Sequence, residues 1–141
     1  VHFHPQALNW LHFEATYATV IGKQANGDYL PFVPANKLKL EFRVDRENIL
    51  IFKKPYFSIN SSTAFAQNHS APDETATDGY TLIDLSVGGN LKLNNQLLFV
   101  GISASNVLDK KYTDHLSTLK EVNFSNPGRN ISLTLKIPFA L

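Results

Sequence analysis

The chain has 141 residues, a net charge of +1, 43% apolar and 18% charged residues, and no cysteine. That length allows one domain with a substantial core. The interspersed charge excludes a basic nucleic-acid footprint, and the missing cysteines exclude a disulfide framework or a thiolate zinc site.

Six segments alternate apolar and polar residues, the period of a strand with two unlike faces. The opening VHFHPQALNW has neither the basic start nor the apolar core of a signal peptide. His2 and His4 flank Phe3 there, but two imidazoles without a nearby carboxylate or thiolate make a poor metal site. The first predicted strand is Leu11–Ile21, with Leu11, Phe13, Ala15, Tyr17 and Ile21 opposite His12, Glu14 and Thr16. Lys37–Val44 follows, where Leu38, Leu40, Phe42 and Val44 alternate with Lys37, Lys39, Glu41 and Arg43. The third, Tyr56–Gln67, is the least regular, and the apolar Ile49–Phe52 before it allows an earlier start. Tyr80–Leu93 sets Ile83, Leu85, Val87, Leu91 and Leu93 against Asp84, Ser86, Asn90 and Lys92. Gly88-Gly89 within it marks a bulge or a close contact. Gln96–Ser105 is the fifth, with Phe99 on the face opposite Val100. Asn130–Phe139 is the last, with Lys136 among its polar residues.

Connections differ in length. Asn94-Asn95 reads as a two-residue hairpin turn, and Asp45–Pro55 joins strands two and three. The other gaps, Gly22–Asn36, Asn68–Gly79 and Asn106–Gly128, are long and turn-rich. The fold class is therefore all-β, an antiparallel up-and-down meander of about six strands. No apolar run approaches the 18 or so residues of a spanning helix, but a barrel strand needs only about 9–11 alternating residues. Short turns at one end, long loops at the other, and aromatic residues such as Trp10, Tyr56, Tyr80 and Phe139 near strand ends suit an outer-membrane barrel. Alternation alone suits a soluble sandwich equally, with the charged rows in water.

Five stretches in collinear order resemble the C-terminal barrel region of TonB-dependent outer-membrane receptors, of the kind found in Bacteroidetes-like bacteria. They are FHPQALNWLHFEATYATVIG, GDYLPFVPANKLKLEF, ETATDGYTLIDLSVGG, VGISASNVLDKKYTDHLSTLKE and the closing GRNISLTLKIPF. Together they run from Phe3 to Phe139. The chain departs from the family in Ala140-Leu141 after the terminal aromatic. It also departs in lacking the plug domain, the TonB-contacting segment and a signal peptide.

The resemblance implies part of a barrel of about 22 strands around a plugged lumen. It also implies an outer-membrane location with extracellular long loops and a periplasmic C-terminus. The family imports scarce nutrients such as ferric siderophores, haem, cobalamin or oligosaccharides, with energy from the TonB complex. The expected partners are the remaining barrel strands, the plug, membrane lipid and a small nutrient ligand, with no nucleic acid. Alternation then turns His12, Glu14, Arg43, Asp84 and Lys92 toward the lumen. Asp73, Glu74 and Asp78 in one long loop, and Tyr112 and His115 in another, are the candidate substrate contacts. The resemblance gives His115 a loop-packing role as well. No nucleophile, phosphate-binding or metalloprotease motif occurs, so neither an enzyme nor a cofactor is expected. A soluble β-sandwich binding module and a porin independent of TonB are the alternatives.

Overall fold

A computed structural model describes residues 2–3, 8–93 and 96–138. Side chains are described from residue 8 onward. His4, the side chain of His2, the Asn94-Asn95 turn, Phe139 and Ala140-Leu141 lie outside the described residues.

The described residues form one antiparallel sheet. Its strands are β1 (His2–Phe3), β2 (Leu11–Ala18), β3 (Lys37–Asp45), β4 (Asn48–Ile49), β5 (Phe52–Ala64), β6 (Tyr80–Leu93), β7 (Gln96–Ser105) and β8 (Asn130–Lys136). The long strands follow one another in space as in sequence, and β4 pairs only with β5. The sheet is an open meander, with β1 and β8 at its edges. One 3₁₀ turn, η1 (Thr118–Val122), interrupts the last long loop.

The predicted bounds of β6 and β7 match the observed ones. The other four differ, β3 only in running to Asp45 rather than Val44. β2 stops at Ala18 rather than Ile21, because 19–36 turns back on itself through the Lys23↔Tyr29 bridge and the left-handed Gly27. β5 spans Phe52–Ala64 rather than Tyr56–Gln67: it starts early because Ile49 and Phe52 pair across a two-residue turn, and beyond Ala64 only the isolated Gln67↔Thr77 bridge follows. β8 ends at Lys136, just before Pro138, whose ring removes a ladder donor.

Register places like with like. Phe13, Phe42, Ile59, Leu85, Ala104 and Ile131 form one continuous cross-strand row. Leu11, Val44, Phe57, Val87, Ile102 and Leu133 form the next row on that face. On the opposite face, His12, Arg43, Ser58, Ser86, Ser103 and Ser132 line up, as do Glu14, Glu41, Asn60 and Asp84. Pairing at this period fixes every side chain's face, because a one-residue slip would exchange the two.

Large apolar side chains lie open on one face, although Leu11, Leu40, Val44 and Leu85 of that face are half-buried and Thr16, Lys39 and Lys92 of the polar face are exposed. Phe13, Phe42, Phe57, Ile59 and Val87 are exposed, while their chain neighbours Glu14, Glu41, Arg43, Asn60 and Ser86 are half-buried. Ser58, on the polar face, is only 4% exposed, and Ile131, on the apolar face, is 71% exposed. Ala35, Ala64 and Ala71 are the buried apolar residues among those described. No second layer of strands packs on the apolar rows among the described residues, since each strand contacts only its hydrogen-bonded neighbours.

The glycine pair does mark a close contact, and the accompanying bulge lies in the partner strand. Between Lys53↔Asn90 and Tyr56↔Gly88 the β5 register shifts, with Lys54 left-handed. The Tyr56 and Phe99 rings stack on the polar face with centroids 6.5 Å apart. A Cβ on Gly88 would meet Tyr56 Cε1 at 2.9 Å and Phe99 Cζ at 3.0 Å. Arg43 lies over Tyr56 and bonds Asp45 through both Nε and Nη2, and Lys136 lies over Phe99. His12 Nε2 is 3.2 Å from Asp45. Cations and rings thus alternate across the polar face near the short-turn end.

Candidate ligand-contact loops

The loops 19–36, 65–79 and 106–129 leave the same end of the sheet, because each joins an up strand to the next down strand. They pack on one another, and the last one folds back over the polar face. Asp114 shows how far it reaches. Its Oδ2 accepts from Lys37 Nζ of β3 at 2.9 Å and from the Tyr80 hydroxyl of β6 at 2.7 Å. Its Oδ1 accepts from the Leu116 N–H, and the Tyr112 ring packs on Tyr80 with centroids 4.4 Å apart. Burial alone would raise the Asp114 carboxyl, but hydrogen bonds from Tyr80 and Lys37 outweigh it and hold the group below its ordinary range.

The base of this loop is a built turn. Asn106, buried and left-handed, exchanges side-chain hydrogen bonds with the Lys110 N–H and C=O. Asp84 Oδ1 accepts the Asn106 N–H at 2.7 Å, and Asp109 accepts the Arg129 N–H at 2.9 Å. Asn and Asp suit such positions because their short side chains bond locally and tolerate the left-handed backbone.

His115 is the centre of the cluster, with its side chain only 1% exposed. Nδ1 bonds Thr77 Oγ1 and lies 3.5 Å from Lys120 Nζ. An ammonium only donates, so Nδ1 is the acceptor and the hydrogen sits on Nε2. Nε2 lies 3.3 Å from Glu74 Oε1, but its alignment leaves it without a hydrogen bond. Burial first, and then the Lys120 charge, push the imidazole below its ordinary value against the pull of Glu74 and Asp114. Glu74 in turn accepts from the Phe32 and Ala71 N–H groups, and Gln67 donates to the Val33 carbonyl. Lys120 also donates to the Thr75 carbonyl. All three loops are therefore joined through side-chain-to-backbone bonds.

The five candidate contacts divide between two clefts. One, of about 490 Å³, is lined by Asp73, Glu74 and His115 together with Asp28, Lys120 and Glu121. The other, of about 470 Å³, is lined by Asp78 and Tyr112 with Tyr80, Lys110 and Lys120. Asp73 and Asp78 are exposed, whereas Glu74, Tyr112 and His115 are engaged with protein groups. Asp114 and His115, adjacent in sequence, serve different partners and form no acid–base pair. Groups of three or more metal-ligating side chains are absent among the described residues.

His12, Glu14, Arg43, Asp84 and Lys92 share the polar face, as alternation predicts. Asp84 also holds the loop base through Asn106, and Arg43 is committed to Asp45 and Tyr56. Sequence reasoning missed Lys37, Tyr80, Thr77 and Lys120 as loop-holding groups, because their partners lie 34 to 77 residues away in the chain for all but Lys120 and His115. Asn106 was recognisable in principle, as an Asn directly after a strand and three residues before Asp109.

The described residues thus form an all-β, single-sheet protein with a built loop cluster at one end. Comparison with protein-family models finds no match, and comparison with curated proteins finds none either.

Proposed function

We propose that this sheet is a sector of the barrel wall of a TonB-dependent outer-membrane receptor that imports a scarce nutrient. The observation that carries the reading is the exposed apolar face: Phe13, Phe42, Phe57, Ile59, Val87 and Ile131 lie open while Glu14, Glu41, Arg43 and Asn60 on the other face are half-buried. Water would penalise that arrangement, because exposed apolar area costs free energy in proportion to its extent. Lipid on one side and a wet lumen on the other would reverse the sign. The sheet's two open edges lead the same way. Lipid does not tolerate unpaired backbone groups, so β1 and β8 require further strands of the same receptor to close the barrel.

In this reading the chain performs no bond-making step. It walls one sector of the lumen, turns His12, Glu14, Arg43, Asp84 and Lys92 inward, and offers the joined loops to the outside, with the C-terminus periplasmic. Asp73 and Asp78, free of the packing that occupies Glu74, Tyr112 and His115, are the candidates for first contact with a ligand. The small nutrient ligand is a ferric siderophore, haem, cobalamin or an oligosaccharide. The TonB complex supplies energy through the receptor's plug.

The test uses a host carrying the complete receptor gene. Removing TonB abolishes uptake while leaving the amount of receptor in the outer membrane unchanged. Uptake that persists without TonB would instead mark a passive porin, and recovery of the protein from the soluble fraction would mark a β-sandwich binding module.

A further inference from the structure

The turn Leu50-Ile51 breaks the rule for its own geometry. β4 and β5 close on it through Asn48↔Lys53 and Ile49↔Phe52, leaving two residues between the paired ones. Leu50 is left-handed, with φ 53°, and 96% exposed. Two-residue hairpins put Asn, Asp or Gly at such a position, because a Cβ there crowds the backbone. Ile49 and Ile51 beside it are exposed as well. Three consecutive large aliphatics at an exposed tip carry both strain and unburied surface, with no gain inside the described protein.

We propose that Ile49-Leu50-Ile51 is a membrane anchor, inserting into the phospholipid headgroup–acyl boundary of the leaflet at the short-turn end. This rests on the barrel reading above. Continuity with the outer face is the first support. Ile49 pairs with Phe52, Phe52 with Leu91, and Leu91 with Leu98, so the tip extends the same apolar face row by row.

Height is the second. Along β6 the apolar face runs from Ile83 to Leu93, and 93 − 83 = 10 steps at about 3.3 Å each make about 33 Å along the strand. At a tilt of roughly 40° that projects to about 25 Å, the height of a barrel's lipid-facing band. The Ile49–Phe52 pair is level with Leu91, inside this band, so the turn falls at its border rather than out in water. Charge is the third: Arg46, Lys53 and Lys54 flank the tip in the chain and outnumber Glu47 beside them, the nearby Asp45 being taken up by Arg43 and His12. Cations directly behind an apolar wedge suit lipid phosphates. Arg46 lies 4.3 Å from the Trp10 ring, at the depth where indoles gather. A protein pocket would need no such belt.

These 141 residues hold no cysteine, so single reporters placed in them are unambiguous in the complete receptor once any cysteine elsewhere in it is replaced. Leu50→Cys, Ile51→Cys, Leu133→Cys and Asp73→Cys, each carrying an environment-sensitive fluorophore, would be placed in phosphatidylethanolamine–phosphatidylglycerol vesicles with brominated acyl chains. Probes at 50, 51 and 133 lose about half their emission to the bromines, as insertion to the acyl boundary requires. The probe at 73 does not. A probe at 133 quenched by bromines with 50 and 51 quenched only by aqueous iodide would overturn the anchor and leave the barrel reading standing. If 133 also behaves as aqueous, both readings fall.

Discussion

Lys37 of β3 and Asp114 of the 106–129 loop meet at 2.9 Å although 77 residues separate them. The contact draws the last long loop across the polar face, and Tyr80 adds a second donor to the same oxygen. A half-buried carboxylate with two side-chain donors contributes more than a fully exposed pair, chiefly through the half-buried Tyr80 hydroxyl, because the Lys37 ammonium, with its side chain 40% exposed, can turn to water. Charged hydrogen bonds of this kind are worth about 1.5–3 kcal/mol.

Asp114→Ala should therefore free the 106–129 loop while leaving the sheet intact. Limited proteolysis within that loop should accelerate about tenfold or more. Asp114→Asn, which retains an acceptor, should fall between. Equal cleavage rates in all three proteins would show that the contact does not hold the loop.

Acidification should loosen the same loops through His115. Its folded value is depressed, so the neutral ring's contribution is complete above the ordinary histidine range and is lost as pH falls from there through the folded value. Protonating Nδ1 would turn an acceptor for Lys120 into a like charge. Asp114, also depressed, keeps its contribution until the pH drops below the ordinary carboxylate range and is silent in this window. Amide protection in 65–79 and 106–129, taken relative to the intrinsic exchange rate at each pH, should fall between pH 7.5 and 5, and His115→Gln should flatten that fall. An unchanged pH dependence in the variant would assign it to another group.

Gly88→Ala should strain the Tyr56–Phe99 stack, because the new methyl would lie within 3.0 Å of both rings. Overpacking of this type costs about 1–3 kcal/mol. Phe99→Leu removes one ring and should recover part of the loss, giving a favourable coupling in a double-mutant cycle measured by thermal unfolding. Simple additivity would mean that the rings do not crowd Gly88.

Leu133 and Ser132, neighbours on β8, separate the two readings of the faces. Leu133→Arg should reduce stability in lipid by about 2–4 kcal/mol, as a cation near mid-bilayer does. Ser132→Arg, on the polar face, should change little. Unfolding in vesicles with denaturant gives both numbers. If Leu133→Arg proves neutral, the exposed row faces water.

Much of this protein is legible along the chain. Alternation located the six long strands and the face of each residue, because a strand's period of two is a local property that neighbours one to four residues apart reveal. The bounds of β6 and β7 followed from it, as did the common face of His12, Glu14, Arg43, Asp84 and Lys92. Where the pattern weakened, in Asn60–Thr63, cross-strand register supplied the order. Which residues of the loops would join was decided only in three dimensions. His115 lies beside Asp114 in sequence, yet one packs against Thr77 and the other against Lys37. Those partners come from strands and loops that the sheet brings together, and no spacing encodes them. The exposure of the apolar rows is likewise a tertiary fact: alternation separates two faces, and only the folded sheet, with a loop and rings over part of its polar side and no strand layer over the other, shows Phe13, Phe42, Phe57, Ile59 and Val87 lying open.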